Sequence, residues 1–375
     1  MELNEIRQGI NEIDRQIEEL FVKRMGLCCD VAEYKLKNGL PVFQAGRENE
    51  ILERVRGDMP EELKGGAGVL FTTIMDISKT LQFERVFSDR KPPKSEPLDL
   101  TRPAVCAVPG ISGAYSHFAC RKFSDKFTPR FYDSFPEVFR AVDSGEAAFG
   151  VVPIVNSTAG SVGQTYELLR EFDLKICSTC KLKISHCLAA KKGVSAEDIK
   201  EVWSHDQALM QCSQFISEKG LHPHRCENTS LAAKLVAESS KPCGAICSEE
   251  CAAEQGLEVI ARGIANADQN YTRFILISKK TLCPADADTV SVSLALPHES
   301  SSLYRLLTKF SAAGLNLTMI ESRPIANTDF DVVFYLDFEG SLQSPPVAKL
   351  LAELEYELSY FKFLGSYSMI ADNAI

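Results

Sequence analysis

One stretch of this chain has few ways to fold. From the N-terminus, Ile6, Ile10, Ile13, Ile17, Leu20, Leu27 and Val31 recur at steps of four, three, four, three, seven and four residues. That spacing lays an apolar seam along one face of a long α-helix. The step of seven skips the position held by Arg24, so a permanent cation interrupts the seam. A buried, unpaired guanidinium is strongly destabilising. Either an anionic ligand or a partner-helix carboxylate meets Arg24, or its side chain snorkels to solvent. The spacing predicts a helix from about Asn4 to Leu36, stopped by Gly39 and Pro41.

Other polar positions can be placed on the same helical wheel. Lys35 lies eleven residues beyond Arg24, which at about 100° per residue leaves it about 20° away, three turns along the same face. Arg7 lies seventeen residues back, about 100° around the helix, and cannot easily serve one pocket with Arg24. Arg47 and Glu48 open a second helix. A third, near Val69–Leu81, places Ser78 and Gln82 four residues apart on one face.

The periodicity then changes. A charged, proline-rich stretch, Ser88-Asp-Arg-Lys-Pro-Pro-Lys-Ser-Glu-Pro97, reads as a linker. From Pro103, short β-branched runs alternate with amphipathic helices, the mark of an α/β domain. From Thr289 a strand, a helix closed at Gly314, two strands, a helix near Pro346–Leu358 and a strand near Phe361–Tyr367 spell β-α-β-β-α-β, a ferredoxin-like unit. The expected organisation is an all-α domain over 1–88, a linker over 89–102, an α/β domain over 103–282 and an α+β unit over 288–370.

Composition limits the function. Of 375 residues, 45% are apolar and 25% charged, the balance of a globular protein rather than a disordered, fibrous or membrane-spanning one. The formal charge is 41 − 51 = −10, which argues against nucleic-acid or membrane partners. It also confines any anion site to a local cationic cluster. Thirteen cysteines, an odd number without a secretory signal, read as reduced packing residues of a cytoplasmic protein. Cys177-x-x-Cys180 offers two metal ligands with no second pair, so neither metal nor cofactor is expected.

Residues 2–86 resemble the small all-helical chorismate mutases, which are intertwined dimers. The resemblance rests on Arg7, Arg24, Lys35, Arg47, Glu48, Ser78 and Gln82. It implies that the arginines hold the two carboxylates of chorismate, one of them from the other subunit. Lys35 and Gln82 would hydrogen-bond the ether oxygen, and Glu48 the ring hydroxyl. Gln44 stands where the family often has Asp. About 85 residues are too few to enclose an ordinary active site alone, in keeping with a dimer.

Residues 103–280 resemble the prephenate dehydratases, whose two α/β lobes fold like a small periplasmic-type binding protein. The motifs are Ser112-Gly113-Ala114-Tyr115-Ser116 in a Gly-rich strand-to-helix turn, Asn156 at a strand end, and Ser204-His205-Asp206-Gln207 leading to Gln211. Thr229-Ser230 after an Asn cap, and Thr272-Arg273-Phe274, complete them. The resemblance makes Thr272 the proton donor. Asn156, Ser204, Gln207 and Gln211 would line the substrate, and the 112–116 turn and Thr229–Ser230 would offer N–H groups to carboxylates. Arg273 would anchor the backbone or meet substrate, and His205 is either a structural neighbour of the site or an acid. Val155 replaces the family's Glu.

Glu321-Ser322-Arg323-Pro324 resembles the phenylalanine-binding motif of the ACT domains attached to dehydratases, with Leu303 in the companion loop, where Ser301-Ser302 stand for the family's Gly-Ala. Together these resemblances imply a homodimeric or larger bifunctional enzyme that takes chorismate to prephenate and prephenate to phenylpyruvate, with L-phenylalanine as effector. The alternatives are a dehydratase whose helices only dimerise, and a non-catalytic amino-acid sensor.

Overall fold

A computed structural model describes residues 2–40, 45–86, 91–267, 269–325 and 331–371, so Gln44 falls outside the described residues. The chain divides into two compact units, Met1–Pro93 with Leu294–Phe361, and Lys94–Ser293 with Lys362–Ile375.

In the first unit, helix α1 spans Leu3–Asn38, about 54 Å. Glu2 and Glu5 form a capping box at its start, and Gly39 closes it at φ 62°, a left-handed conformation that glycine adopts without steric cost. Helices α2 (Ala45–Asp58) and α3 (Lys64–Val86) follow. The only buried residues of α1 lie in its second half: Met25, Ala32 and Lys35. The seam that the spacing predicts is there, but among the described residues nothing covers its first half. Ile10, Ile13, Ile17 and Leu20 are 52, 57, 56 and 64% exposed.

Helix α3 works on two faces. One carries Ser78 and Gln82 toward α1. The other meets the helices Ser302–Ala312 and Pro345–Glu357. Thr73 Oγ1 lies 2.8 Å from Tyr304 Oη, Thr80 Oγ1 donates to Glu353 at 3.0 Å, Lys349 pairs with Glu84 at 3.1 Å, and the Phe83 and Tyr356 rings are 5.7 Å apart.

These two helices alternate with strands Thr289–Ala295, Leu317–Pro324, Val332–Glu339 and Phe361–Tyr367 in the β-α-β-β-α-β order read from the sequence. The sheet order is 317–324, 332–339, 289–295, 361–367, the ferredoxin-like arrangement, with Leu317–Pro324 at one edge. Ser301, which caps the first of these helices, is the one described non-glycine residue with positive φ, at 71°. A Cβ in this region costs about 1 kcal/mol. Ser301→Gly is expected to raise unfolding stability by up to about 1 kcal/mol in urea titrations.

The second unit has two main sheets, beside a short parallel pairing of Glu96–Pro97 with Leu282–Cys283. The larger runs Met369–Ile370, Lys175–Lys183, Tyr271–Ser278, Phe149–Asn156, Ala104–Pro109, Phe127–Tyr132, with Gly160–Ser161 beside Phe149–Asn156. Its member latest in the sequence, Met369–Ile370, pairs in parallel with Thr179–Cys180. The smaller runs Glu258–Ala261, Cys187–Ala190, Gly244–Cys247, Glu201–His205, His222–Cys226. The chain crosses from the larger sheet to the smaller through 184–186 and returns through 262–270, which makes two lobes joined by two short strips. The cysteines pack the lobes: Cys106, Cys120, Cys177 and Cys180 in one core, Cys187, Cys243, Cys247 and Cys251 in the other. Burial pushes the Cys177 thiol far above its ordinary range, so Cys177 sits in the core as a neutral thiol, with Cys180 buried in the same core. Among the described residues no helix is long and apolar enough to cross a membrane.

Candidate active sites

The first site lies between α1 and α3. Arg24 is half-buried and donates from Nη1 to Ser78 Oγ at 2.5 Å. Among the described residues it meets no carboxylate, so of the readings open at the outset, partner-helix pairing within the chain is not realised. Lys35, buried three turns on, donates from Nζ to Gln82 Oε1 at 3.2 Å. Since an ammonium can only donate, Gln82 turns its oxygen to Lys35 and keeps its amide N–H groups for something else. Arg24 and the Gln82 amide thus keep donor capacity beside Lys35, while the Ser78 hydroxyl donates back to Ile74 O at 2.7 Å. Burial lowers the Lys35 pKa, against smaller opposing effects of Cys28 and Glu48. A step that needs protonated Lys35 should therefore lose rate on the alkaline side before an ordinary lysine, near ~10.4, would titrate. Lys35→Arg should shift that alkaline limb upward in a pH–rate profile.

Glu48, on α2, is ion-paired to Lys79 at 3.3 Å, and Lys79 to Asp76 at 2.7 Å. Lys79 and Asp76 carried no signal in the sequence, since they read as ordinary helix polar residues. Arg47 is exposed and pairs with Glu50 at 2.9 Å. Arg7 is exposed, and on a straight helix it stands about 26 Å from Arg24.

The second site is a cavity of about 460 Å³ walled by both lobes of the second unit. Ala114, Tyr115, Ser116, Asn156, Gln207, Gln211, Thr229, Ser230 and Thr272 line it. Asn156 and Thr272 are paired across neighbouring antiparallel strands, which places both side chains on one face. Asn156 Nδ2 donates to Thr272 Oγ1 at 2.9 Å. The threonine oxygen therefore accepts from the protein and keeps its own O–H to donate. A chain of hydrogen bonds fixes the Asn156 amide. Gln211 Nε2 donates to Thr158 Oγ1 at 3.0 Å, and Thr158 Oγ1 to Asn156 Oδ1 at 2.7 Å. Asn156 Nδ2 also reaches Asn270 Oδ1 at 2.8 Å, and Asn270 Nδ2 donates to Gln211 Oε1 at 3.0 Å. His186 Nε2, 3.0 Å from the same oxygen, completes the network, with burial keeping the imidazole neutral.

Two helix N-termini point their N–H groups at this cavity. Helix Tyr115–Phe123 begins at Ala114 and helix Thr229–Glu238 at Asn228. The Asn228 side chain takes only the Leu231 N–H, at 2.7 Å, leaving those of Thr229 and Ser230. In the 112–116 turn, by contrast, Gly113 N–H donates to His117 Nδ1 at 3.2 Å and Ala114 N–H to Ile111 O at 3.1 Å. Of the helix-start N–H groups on that side, those of Tyr115 and Ser116 are not taken by these bonds. A carboxylate between two such helix starts is stabilised by backbone dipoles even in an acidic protein.

The structure does not bring every expected residue to the wall. Ser112 and Gly113 lie outside the lining; a side chain at Gly113 would press Cys251 at 3.3 Å. Ser204 is fully buried and donates to Ile246 O at 2.6 Å, tying two strands together. Arg273 alternates to the opposite face from Thr272, where its cross-strand partner is Val155. The departure at Val155 therefore changes the back of the site strand and removes no group from the wall. His205 lines the cavity and its Nδ1 accepts from Gln207 N–H at 3.3 Å, a helix cap that leaves Nε2 as the donor. His186, Asp133 and Glu227 line it without having been expected.

In the C-terminal zone, Glu321 and Arg323 form an ion pair of 3.0 Å on the edge strand that also holds Ser322 and Pro324. Leu303 is partly exposed in the first turn of its helix.

A cluster of cationic and amide donors in the first unit and a polar cleft in the second fit an enzyme with two centres for small carboxylate-bearing substrates. Family models agree: residues 6–83 match chorismate mutase type II and residues 106–282 match prephenate dehydratase. A bifunctional chorismate mutase/prephenate dehydratase of Aquifex aeolicus is 32% identical over 98% of both chains, and one of Escherichia coli 31% identical over 96% of this chain and 95% of its own. The crystal structure of an Arthrobacter aurescens prephenate dehydratase in complex with L-Phe superposes with a TM-score of 0.65 at 31% identity, covering 70% of this chain and 89% of that one. The chain belongs to the bifunctional chorismate mutase/prephenate dehydratase family. It rearranges chorismate to prephenate, then decarboxylates and dehydrates prephenate to phenylpyruvate, two steps of phenylalanine biosynthesis.

Proposed function

We propose that the residues gathered in the two pockets divide the work as follows. In the helical site, Arg24 binds a chorismate carboxylate, with Arg47 on the pocket's rim. Lys35 and the Gln82 amide donate to the ether oxygen as it gains charge, Glu48 accepts from the ring hydroxyl, and Ser78 holds Arg24 in place. The rearrangement needs no nucleophile, so its rate comes from binding the transition state more tightly than the substrate. Gln44 would add a neutral hydrogen bond there.

Arg7 serves the pocket of a second copy. Its distance from Arg24 and the exposed seam of α1 support a homodimer in which two α1 helices cover each other. Leu20→Glu is expected to yield a monomer in sedimentation, with mutase lost and dehydratase kept. A dimer with full mutase activity would contradict this arrangement.

The single observation that carries the dehydratase assignment is the Asn156–Thr272 hydrogen bond inside the cleft. As the C–CO₂ bond breaks, its electron pair enters the ring and expels the hydroxyl. Thr272 passes a proton to that leaving oxygen and regains one from solvent, so prephenate and one proton give carbon dioxide, water and phenylpyruvate. Neutral Thr is a weak acid, so it acts through the network that orients Asn156. The N–H groups of Tyr115, Ser116, Thr229 and Ser230 hold the carboxylates, and Gln207 and Gln211 the rest. Ser112, Gly113, Ser204 and Arg273 shape the wall from behind. Incubation with chorismate tests the whole reading. Phenylpyruvate should accumulate, whereas prephenate alone would remove the dehydratase and no turnover would favour a sensor.

The C-terminal zone is read as an ACT domain that binds L-phenylalanine through Leu303 and Glu321–Pro324. Its ferredoxin-like order and the L-Phe complex of the Arthrobacter relative support this. Dehydratase activity should fall with added phenylalanine, and indifference at millimolar levels would end the proposal. The reduced cysteines suit a cytoplasmic enzyme.

A further inference from the structure

A second cavity, of about 600 Å³, lies within the first unit, where α2 and α3 meet segments 296–309 and 354–358. Two of its polar residues have unused capacity. Asp76 is 2% exposed; its Oδ1 pairs with Lys79, while Oδ2 is buried with no hydrogen-bond partner among the described residues. Arg305, on helix Ser302–Ala312, makes no ion pair among the described residues, and its Nε is likewise buried without a partner. Buried polar atoms left unmatched are costly and uncommon, and each calls for a reason.

The charges of the wall narrow what could satisfy both. Its cations are Lys79, Arg305 and Lys309, against the carboxylates Glu48, Asp76, Glu299 and Glu357. Lys79 is committed to Glu48 and Asp76, and Lys309 to Glu353 and Glu357. Besides the exposed Glu299, one guanidinium and one buried carboxylate oxygen remain. Four negative charges against three positive disfavour a dianion such as either substrate. A molecule with one carboxylate for Arg305 and one ammonium for Asp76 fits. Apart from Asn49 and Ser302, the rest of the wall is mainly apolar, including Leu306, Leu354 and Tyr356, and suits an apolar side chain.

We propose that this cavity binds an α-amino acid with an apolar side chain, its carboxylate on Arg305 and its ammonium on Asp76. The site is distinct from Leu303 and Glu321–Pro324. An occupant bridges α3 to helix Ser302–Ala312 and competes with Lys79 for Asp76. Lys79 also holds Glu48, so occupancy reaches the mutase pocket. That last consequence rests on the role given to Glu48 above; binding itself does not.

Calorimetric titration of the full chain with L-phenylalanine and L-leucine tests this, with 3-phenylpropanoate and 2-phenylethylamine as probes lacking one charge each. Arg305→Gln should weaken one class of amino-acid binding at least tenfold and leave dehydratase kcat/KM unchanged. Arg305→Lys should recover part of the affinity. Each single-charge probe should bind that class at least tenfold more weakly than phenylalanine. Binding at Arg305 should persist in Glu321→Ala, so failure of the ACT reading and failure of this one give different results. A titration of Arg305→Gln that matches the unmodified chain overturns the proposal. So does a single class lost in Glu321→Ala alone, or no amino-acid binding at all.

Discussion

Arg24→Ala should lower mutase kcat/KM by three orders of magnitude or more and leave the conversion of supplied prephenate intact. Arg24 is half-buried, and its described polar partners are Ser78 and the Cys28 thiol, so its charge is available to a ligand. Truncation removes a charge-assisted contact to substrate and leaves the substrate carboxylate facing an apolar seam. Losing one partner of a buried charged pair costs about 2–5 kcal/mol, or roughly 30- to 5,000-fold. Lys35 and Gln82 would also lose the substrate's alignment, which places the loss toward the upper end. Arg24→Lys should recover little, because an ammonium cannot replace a two-point guanidinium contact. The measurement is paired steady-state kinetics on chorismate and on prephenate. Equal loss of both activities would show that Arg24 serves stability and not a site.

Thr272→Val should do the reverse. The substitution keeps the branched shape that suits the strand, removes the only hydroxyl that Asn156 Nδ2 positions, and should cut dehydratase kcat by about 10²–10⁴. Thr272→Ser should retain much of the rate, since Oγ can still accept from Asn156. The mutase rate should not change. A Val variant with normal kcat would remove Thr272 from the chemistry. Asn156→Ala should produce a loss of similar size, because a Thr272 hydroxyl without its orienting donor can turn away. Combining the two should cost much less than the sum of the single losses.

The parts of this molecule that were legible in the sequence are those governed by local periodicity. The apolar seam predicts α1 to within two residues at either end, and alternation predicts the strand that starts at Thr289 and runs to Ala295. Burial of the seam was not legible, because covering it takes a surface the chain does not itself supply. Asn156 and Thr272 could be picked out by motif, and the structure shows them as a cross-strand pair. Asn270 precedes Thr272 by two, and a period of two could have flagged it. His186 sits in a three-residue crossover that has no pattern to read. Ser204 and Arg273 belong to the same motifs as cavity residues but face elsewhere, since adjacent strand positions point to opposite sides. The second face of α3 escaped notice because Thr73, Thr80 and Glu84 look like any solvated helix surface.

The return of the chain at Met369–Ile370 to the edge of the larger sheet has a consequence for how this gene could be cut or fused. On paper the C-terminal zone is a detachable cassette that begins near residue 288. In the folded chain its last strand belongs to the catalytic lobe. Lys362, just upstream, gives its ammonium to the carbonyls of Leu169, Arg170 and Phe172 at 2.8, 3.2 and 2.5 Å. Truncation at 287 would strip the outer edge from Lys175–Lys183 and leave the end of helix Gly163–Glu171 uncapped. That naked edge invites strand addition by neighbouring molecules. A shortened dehydratase of this lineage should therefore be recovered as aggregate, unless residues 362–371 are supplied again as a separate peptide.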